Sequence, residues 1–141
     1  MKRSAKAHWS GDLKGGKGTM STETKTLQDA PYSFHTRFEE GKGTNPEELL
    51  AAAHAGCFSM ALSMTLEEED LKAESIDTTC TVALEKVGEG FEVTTSHLTL
   101  KARIPGASRE AFERAAAAAK DGCPVSKLFK AKITLDATLE N

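Results

Sequence analysis

The stretch N45-PEELLAAAHAGCFSMALSMTLEEE-69 decides how the rest of this chain is read. Asn45 is a good helix N-cap and Pro46 suits the first helical position. The residues that follow are apolar on nearly every face until the acidic run Glu67-Glu68-Glu69-Asp70. A helix of this composition must be covered on all sides. One chain of 141 residues with about six strands has too little surface to do so alone, so the helix predicts a dimer in which central helices pack together. Its apolar part, Leu49–Leu66, spans 18 residues, the lower limit for crossing a bilayer. His54, Ser59 and Ser63 interrupt it, and no Lys or Arg anchors either end. A buried helix of a soluble protein, without a membrane partner, is the expectation.

Working outward, the N-terminal third carries three short alternating runs, AKAHWSG (5–11), KGTMSTET (17–24) and YSFHTRF (32–38), separated by turn residues. They predict an antiparallel meander. After the helix the period becomes two. SIDTTCTVALEKV (75–87) places Ile76, Thr78, Cys80, Val82 and Leu84 on one face. GFEVTTSHLTLKARI (90–104) follows a Val87-Gly88-Glu89-Gly90 hairpin signal. Ser108 caps a second helix, SREAFERAAAAAKDG, ending at Gly122. A short helix follows from Cys123-Pro124, and KITLDATLE (132–140) closes the chain as a strand. Segregated strands and helices of this order make an α+β fold with a largely antiparallel sheet. Neither a repeat nor a linker suggests more than one domain over 1–141.

Charge and cysteine content narrow the function. There are 18 Lys and Arg against 21 Asp and Glu, a net charge of −3, and no basic cluster alternates with aromatics, so no nucleic-acid partner is expected. Residues 1–11 lack the apolar run of a signal peptide. The three cysteines, Cys57, Cys80 and Cys123, are an odd number, which argues against a structural disulfide framework and for a reducing, cytoplasmic location. No CxxC and no paired ligand motif supports a metal site. His54 and Cys57 on one helix face are too few to specify one.

Cys80 reads as a core residue of an alternating strand. Cys57 sits in the middle of the apolar helix, either as a small hydrophobe or as a reactive thiol. Cys123 precedes Pro124 at a helix start, where N–H groups favour a thiolate. His54, one turn before Cys57, is either its base or a packing residue. Arg37 is either a surface charge or the cation that stabilises a thiolate. Glu48 is the third helical residue if Asn45 is the cap, and Glu47 takes that place if Thr44 is. Glu48 and Cys57 are nine positions apart, so at about 100° per residue they face opposite sides of one helix. If both act in one site, that site straddles a dimer interface.

The segments AHWSGDLKGGKGT (7–19), RFEEGKGTNPEELLAAAHAGCFSMALS (37–63), SIDTTCTVALEKV (75–87) and DGCPVSKLFKAKITLDATLE (121–140) together resemble the OsmC/Ohr family of thiol-dependent hydroperoxide reductases, in its OsmC branch. The resemblance covers essentially the whole chain. It implies an intertwined α+β homodimer, antiparallel sheets wrapped around long central helices. It makes Cys57 the peroxidatic cysteine, which becomes a sulfenic acid, and Cys123 the resolving cysteine that closes an intrachain disulfide. Arg37 would hold the thiolate and Glu48, or the adjacent carboxylate Glu47, would orient the arginine, both reaching the cysteines from the partner chain. The implied substrate is an organic hydroperoxide, with hydrogen peroxide reduced less well, and the implied reductant is a dithiol of lipoyl type. Neither metal nor organic cofactor is required. Such a protein would serve oxidative or osmotic stress defence. The alternative is a non-enzymatic dimer that senses redox state or binds a small molecule.

Overall fold

The structure, a computed structural model, describes residues 1–141. They form two compact units, 1–49 and 50–141.

In the first unit, β1 (Ala5–Ser10), β2 (Lys17–Thr22) and β3 (Ala30–Tyr32) form an antiparallel sheet in that order. Trp9 pairs with Gly18, and Gly18 with Tyr32. The Trp9 and Tyr32 rings lie 5.5 Å apart, centroid to centroid. They close over Gly18, where a Cβ would run into Tyr32 Cε1 and meet Trp9 Cε3 at 2.7 Å. The absence of a side chain at Gly18 is what lets the two rings approach.

The predicted third strand, 32–38, ends at Tyr32 and turns into a short helix, α1 (Phe34–Phe38). Ser33 caps it. Its side chain accepts from Thr36 N–H at 3.3 Å, and Thr36 Oγ1 accepts from Ser33 N–H at 2.8 Å. Phe34 and Phe38 then stack one turn apart at 4.9 Å. The apparent alternation of YSFHTRF is this capping box followed by an i, i+4 aromatic pair. The loop after α1 is tied back through Gly43, at φ +137, and by Thr44 N–H donating to Pro31 O at 3.0 Å.

α2 (Pro46–Glu67) starts as predicted: Asn45 Oδ1 accepts from Glu48 N–H at 2.8 Å, and Asn45 Nδ2 donates to Thr36 O at 2.9 Å. The boundary between the units falls inside this helix, at Leu49–Leu50.

In the second unit β4 (Ser75–Val87) and β5 (Gly90–Arg103) form the predicted hairpin, with Gly88 at φ +60 in its two-residue turn. α3 (Arg109–Gly122) begins at Ser108, whose hydroxyl accepts from Ala111 N–H at 3.1 Å. Cys123 ends α3 and also begins α4 (Pro124–Leu128). β6 (Lys132–Leu139) then lies parallel to β5. The sheet is thus mixed, because the two helices carry the chain back across it before the last strand enters. Alternate β5 residues Leu98, Leu100 and Ala102 face Phe58, Leu62 and Leu66 of α2 and Phe112, Ala115, Ala116 and Ala119 of α3 in one core. Full burial of each large side chain contributes about 1.5–3 kcal/mol.

α2 has 22 residues and is, by length and composition alone, apolar enough to cross a membrane. Its covered residues are His54, Phe58, Leu62 and Leu66, four apart on one stripe. Elsewhere the helix is open: Ala53 and Gly56 are exposed, as are Met60 at 78% and Met64 at 58%. The expectation that the helix is covered on all sides is not met by one chain.

Candidate active site

Cys57 and Cys123 are 66 positions apart in the chain and in direct contact in the structure. The Cys123 thiol donates to Cys57 Sγ at 2.8 Å. Both are free thiols, Cys57 half-buried and Cys123 fully buried. Two local features bring them together. The helical period of α2 sets Cys57 beside the buried stripe, where it packs against the core. The α3–α4 junction turns the chain at Cys123, whose N–H donates to Ala119 O at 2.9 Å and whose carbonyl accepts from Lys127 N–H at 3.1 Å.

The electrostatics at Cys57 oppose ionisation within one chain. Burial pushes the thiol above its ordinary value, and the hydrogen bond and charge of Cys123 add to this. The backbone of Val125, in the first turn of α4, hydrogen-bonds the sulfur and acts the other way. No cation is among these influences.

Arg37 lies at the end of α1. Its Nε donates to Glu47 Oε1 at 3.0 Å and Oε2 at 3.3 Å, and its Nη2 donates to Oε1 at 2.7 Å. Glu47 is 12% exposed and Arg37 40%. Within the first unit the carboxylate bonded to Arg37 is thus Glu47 rather than its neighbour Glu48. With Asn45 as the cap, Glu48 is the third helical residue. Its N–H goes to Asn45, and its carboxylate accepts from Thr44 Oγ1 at 2.7 Å, which commits it to the helix start. An apolar cavity of about 160 Å³ opens beside the arginine, walled by Trp9, Leu13, Tyr32, Phe34 and Phe38.

His54 is fully buried. Its Nδ1 is 2.6 Å from Ser96 Oγ and its Nε2 is 2.7 Å from Ser126 Oγ. A neutral imidazole donates from one nitrogen and accepts at the other, so two serine hydroxyls satisfy it. Burial holds the ring below its ordinary value. With both nitrogens engaged, His54 is a packed core residue rather than a base for Cys57. Cys80 sits on the inward face of β4 as expected, with its Sγ 3.1 Å from Ser96 Oγ and 3.8 Å from His54 Nδ1. The serines escaped the sequence reading, although Ser126 lies in the Cys-Pro-Val-Ser motif. No three His, Cys, Asp or Glu side chains are grouped to hold a metal.

Residues 39–138 match the sequence model of the OsmC-like protein family. The chain is 52% identical to peroxiredoxin OsmC of Escherichia coli (strain K12) over 139 residues, 99% of this chain and 97% of the relative. It is 35% identical to the organic hydroperoxide resistance protein OhrA of Bacillus subtilis (strain 168) over 101 residues, 70% and 67% of the two chains. Among solved structures it superposes on an organic hydroperoxide resistance protein OsmC from Legionella pneumophila with a TM-score of 0.73 at 26% identity, covering 100% of this chain and 98% of that one.

Proposed function

The chain belongs to the OsmC family, and from that premise we propose that it is a two-cysteine peroxidase for organic hydroperoxides, working as a cytoplasmic homodimer of single OsmC-like domains. As a peroxidase-type oxidoreductase it takes a hydroperoxide and a thiol reductant. The observation that carries the mechanism is the 2.8 Å contact between Cys57 and Cys123.

Cys57, as thiolate, attacks the terminal oxygen of the hydroperoxide. The O–O bond breaks, the alkoxide leaves and takes a proton as the alcohol, and Cys57 becomes a sulfenic acid. The Cys123 thiol attacks the sulfenic sulfur. Its proton leaves with the hydroxyl as water, and the Cys57–Cys123 disulfide forms. An external dithiol of lipoyl type then reduces the disulfide and is itself oxidised to a cyclic disulfide.

Because burial raises the Cys57 thiol in a single chain, we assign its activation to Arg37 of a second copy, held by Glu47. Glu47 lies ten positions before Cys57, about 80° round the helix and about 15 Å along it. This axial separation favours a donor from the second copy. The open stripe Ala53, Gly56, Met60 and Met64 is the surface for that copy, since small residues let helices approach closely and exposed methionines gain by burial. The apolar cavity at Arg37 favours an alkyl or aryl hydroperoxide over hydrogen peroxide.

The test is peptide mass spectrometry of reduced protein given one equivalent of cumene hydroperoxide and then blocked. A Cys57–Cys123 peptide pair within seconds, abolished by Cys57→Ser, is expected. The raised Cys57 thiol also suits an inert pair. Two thiols that both stay free and resist oxidation would establish that reading instead.

A further inference from the structure

Cys123 is the N-cap of α4, a helix of only five residues, Pro124–Leu128, too short to hold its position by its own hydrogen bonds. Within the second unit the fully buried His54 is attached to it twice. Ser126, the third residue of α4, places its hydroxyl 2.7 Å from His54 Nε2. Phe129, its C-cap, packs its ring edge-on against the imidazole, with centroids 5.2 Å apart. His54 is one turn before Cys57 on α2, and its other nitrogen is bound to Ser96 of β5. The same ring thus links the helix that bears one thiol to the helix that begins at the other.

We infer that His54 is a positioning residue that, through Ser126, holds the Cys123 end of α4 against Cys57 for the second step of the reaction. This rests on the two-cysteine reading above. When Cys57 is a sulfenic acid, Cys123 must attack its sulfur in line as the S–O bond breaks, and a loosened α4 lowers the fraction of molecules poised to do so. Cys123 makes no bond in the hydroperoxide step, and its hydrogen bond and that of the Val125 backbone act on Cys57 in opposite directions, so that step should depend on the clamp far less than closure does. Cys80 shares the Ser96 hydroxyl, which places β4 and β5 on the other side of the ring, away from α4.

The asymmetry makes the inference testable. Ser126→Ala removes the α4 attachment, Ser96→Ala removes the β5 attachment, and Ser126→Thr keeps a hydroxyl in place. In single-turnover experiments with cumene hydroperoxide, trapping with a sulfenic-acid reagent reads the first step, and non-reducing peptide mass spectrometry reads disulfide closure. We expect S126A to form the sulfenic acid at a rate within about twofold of the parent, and to close the disulfide about tenfold more slowly, as the loss of one buried hydrogen bond would dictate. Sulfenic acid should then accumulate and over-oxidation to sulfinic acid rise. S96A should close the disulfide at the parental rate, and S126T should restore most of the loss. Thermal unfolding of all three reports their folding. Parental closure in S126A, or equal slowing in S126A and S96A, overturns the clamp and leaves the two-cysteine reading standing. A parent protein that never closes the disulfide overturns both.

Discussion

Glu47 and Glu48 are adjacent carboxylates with different partners, and exchanging each for glutamine separates their roles. Glu47 receives three N···O contacts from Arg37, at 2.7, 3.0 and 3.3 Å, on a carboxylate that is 12% exposed. Glu47→Gln keeps one accepting oxygen but turns the other into an amide that faces a guanidinium donor. A charge-assisted pair contributes about 1.5–3 kcal/mol and a neutral hydrogen bond about 0.5–1.5 kcal/mol. Arg37 is 40% exposed, so solvent screening reduces the difference to about 1 kcal/mol. If Arg37 activates Cys57 only while held in this geometry, that loss corresponds to about a fivefold fall in peroxide turnover. Glu48→Gln still accepts from Thr44, and its backbone bond to Asn45 is untouched. Its turnover should stay within about twofold. The assay is steady-state reduction of cumene hydroperoxide with a lipoyl-type dithiol, with alkylation of Cys57 followed against pH in parallel. In E47Q the thiolate should appear at higher pH than in the parent. A large loss in E48Q with an unaffected E47Q would refute the assignment of Glu47 as the residue that orients Arg37.

Gly18→Ala would drive a methyl group into Tyr32 and Trp9 and should destabilise the first unit by about 1–3 kcal/mol. The fluorescence of Trp9, the single tryptophan, should shift in the folded protein, and unchanged emission and unfolding would contradict the packing described. His54 supplies a pH dependence. Its folded value is lowered by burial from the ordinary 6.5, so its contribution is complete above about that pH and is lost as pH falls toward the folded value, because the unfolded chain takes up the proton first. Melting temperature should therefore drop below that pH, and a flat profile down to pH 5 would argue against a neutral buried ring. Met60→Glu, on the 78% exposed side chain of α2, should produce a monomer by analytical ultracentrifugation with greatly reduced turnover, whereas a dimer of normal activity would place the interface elsewhere.

Features encoded within a few residues were legible in the sequence. The Asn45-Pro46 start of α2, the Ser108 cap of α3 and the Gly88 turn each rest on hydrogen bonds or dihedrals inside one turn of chain. The alternation from Ile76 to Leu84 needs only that one face of β4 meet a core. YSFHTRF misled because seven residues carry too little periodicity to separate a strand from a capped helical turn, and the Ser33–Thr36 capping box settled it. The choice between Glu47 and Glu48 depended on where Arg37 arrives from a different element, which their adjacent positions do not encode.

The sequence by itself determined every element except α1, the caps of α2 and α3, and the thiols available for chemistry. Three arrangements were decided by tertiary structure: the parallel entry of β6, the burial of His54 between two serines 30 positions apart in the chain (Ser96 and Ser126), and the contact of Cys57 with Cys123 across 66 positions. The physical reason is one of range. Helix caps and turns are closed by hydrogen bonds over three or four residues, whereas a histidine's partners and a thiol's neighbour exist only once β5, α2 and α4 have packed on one core.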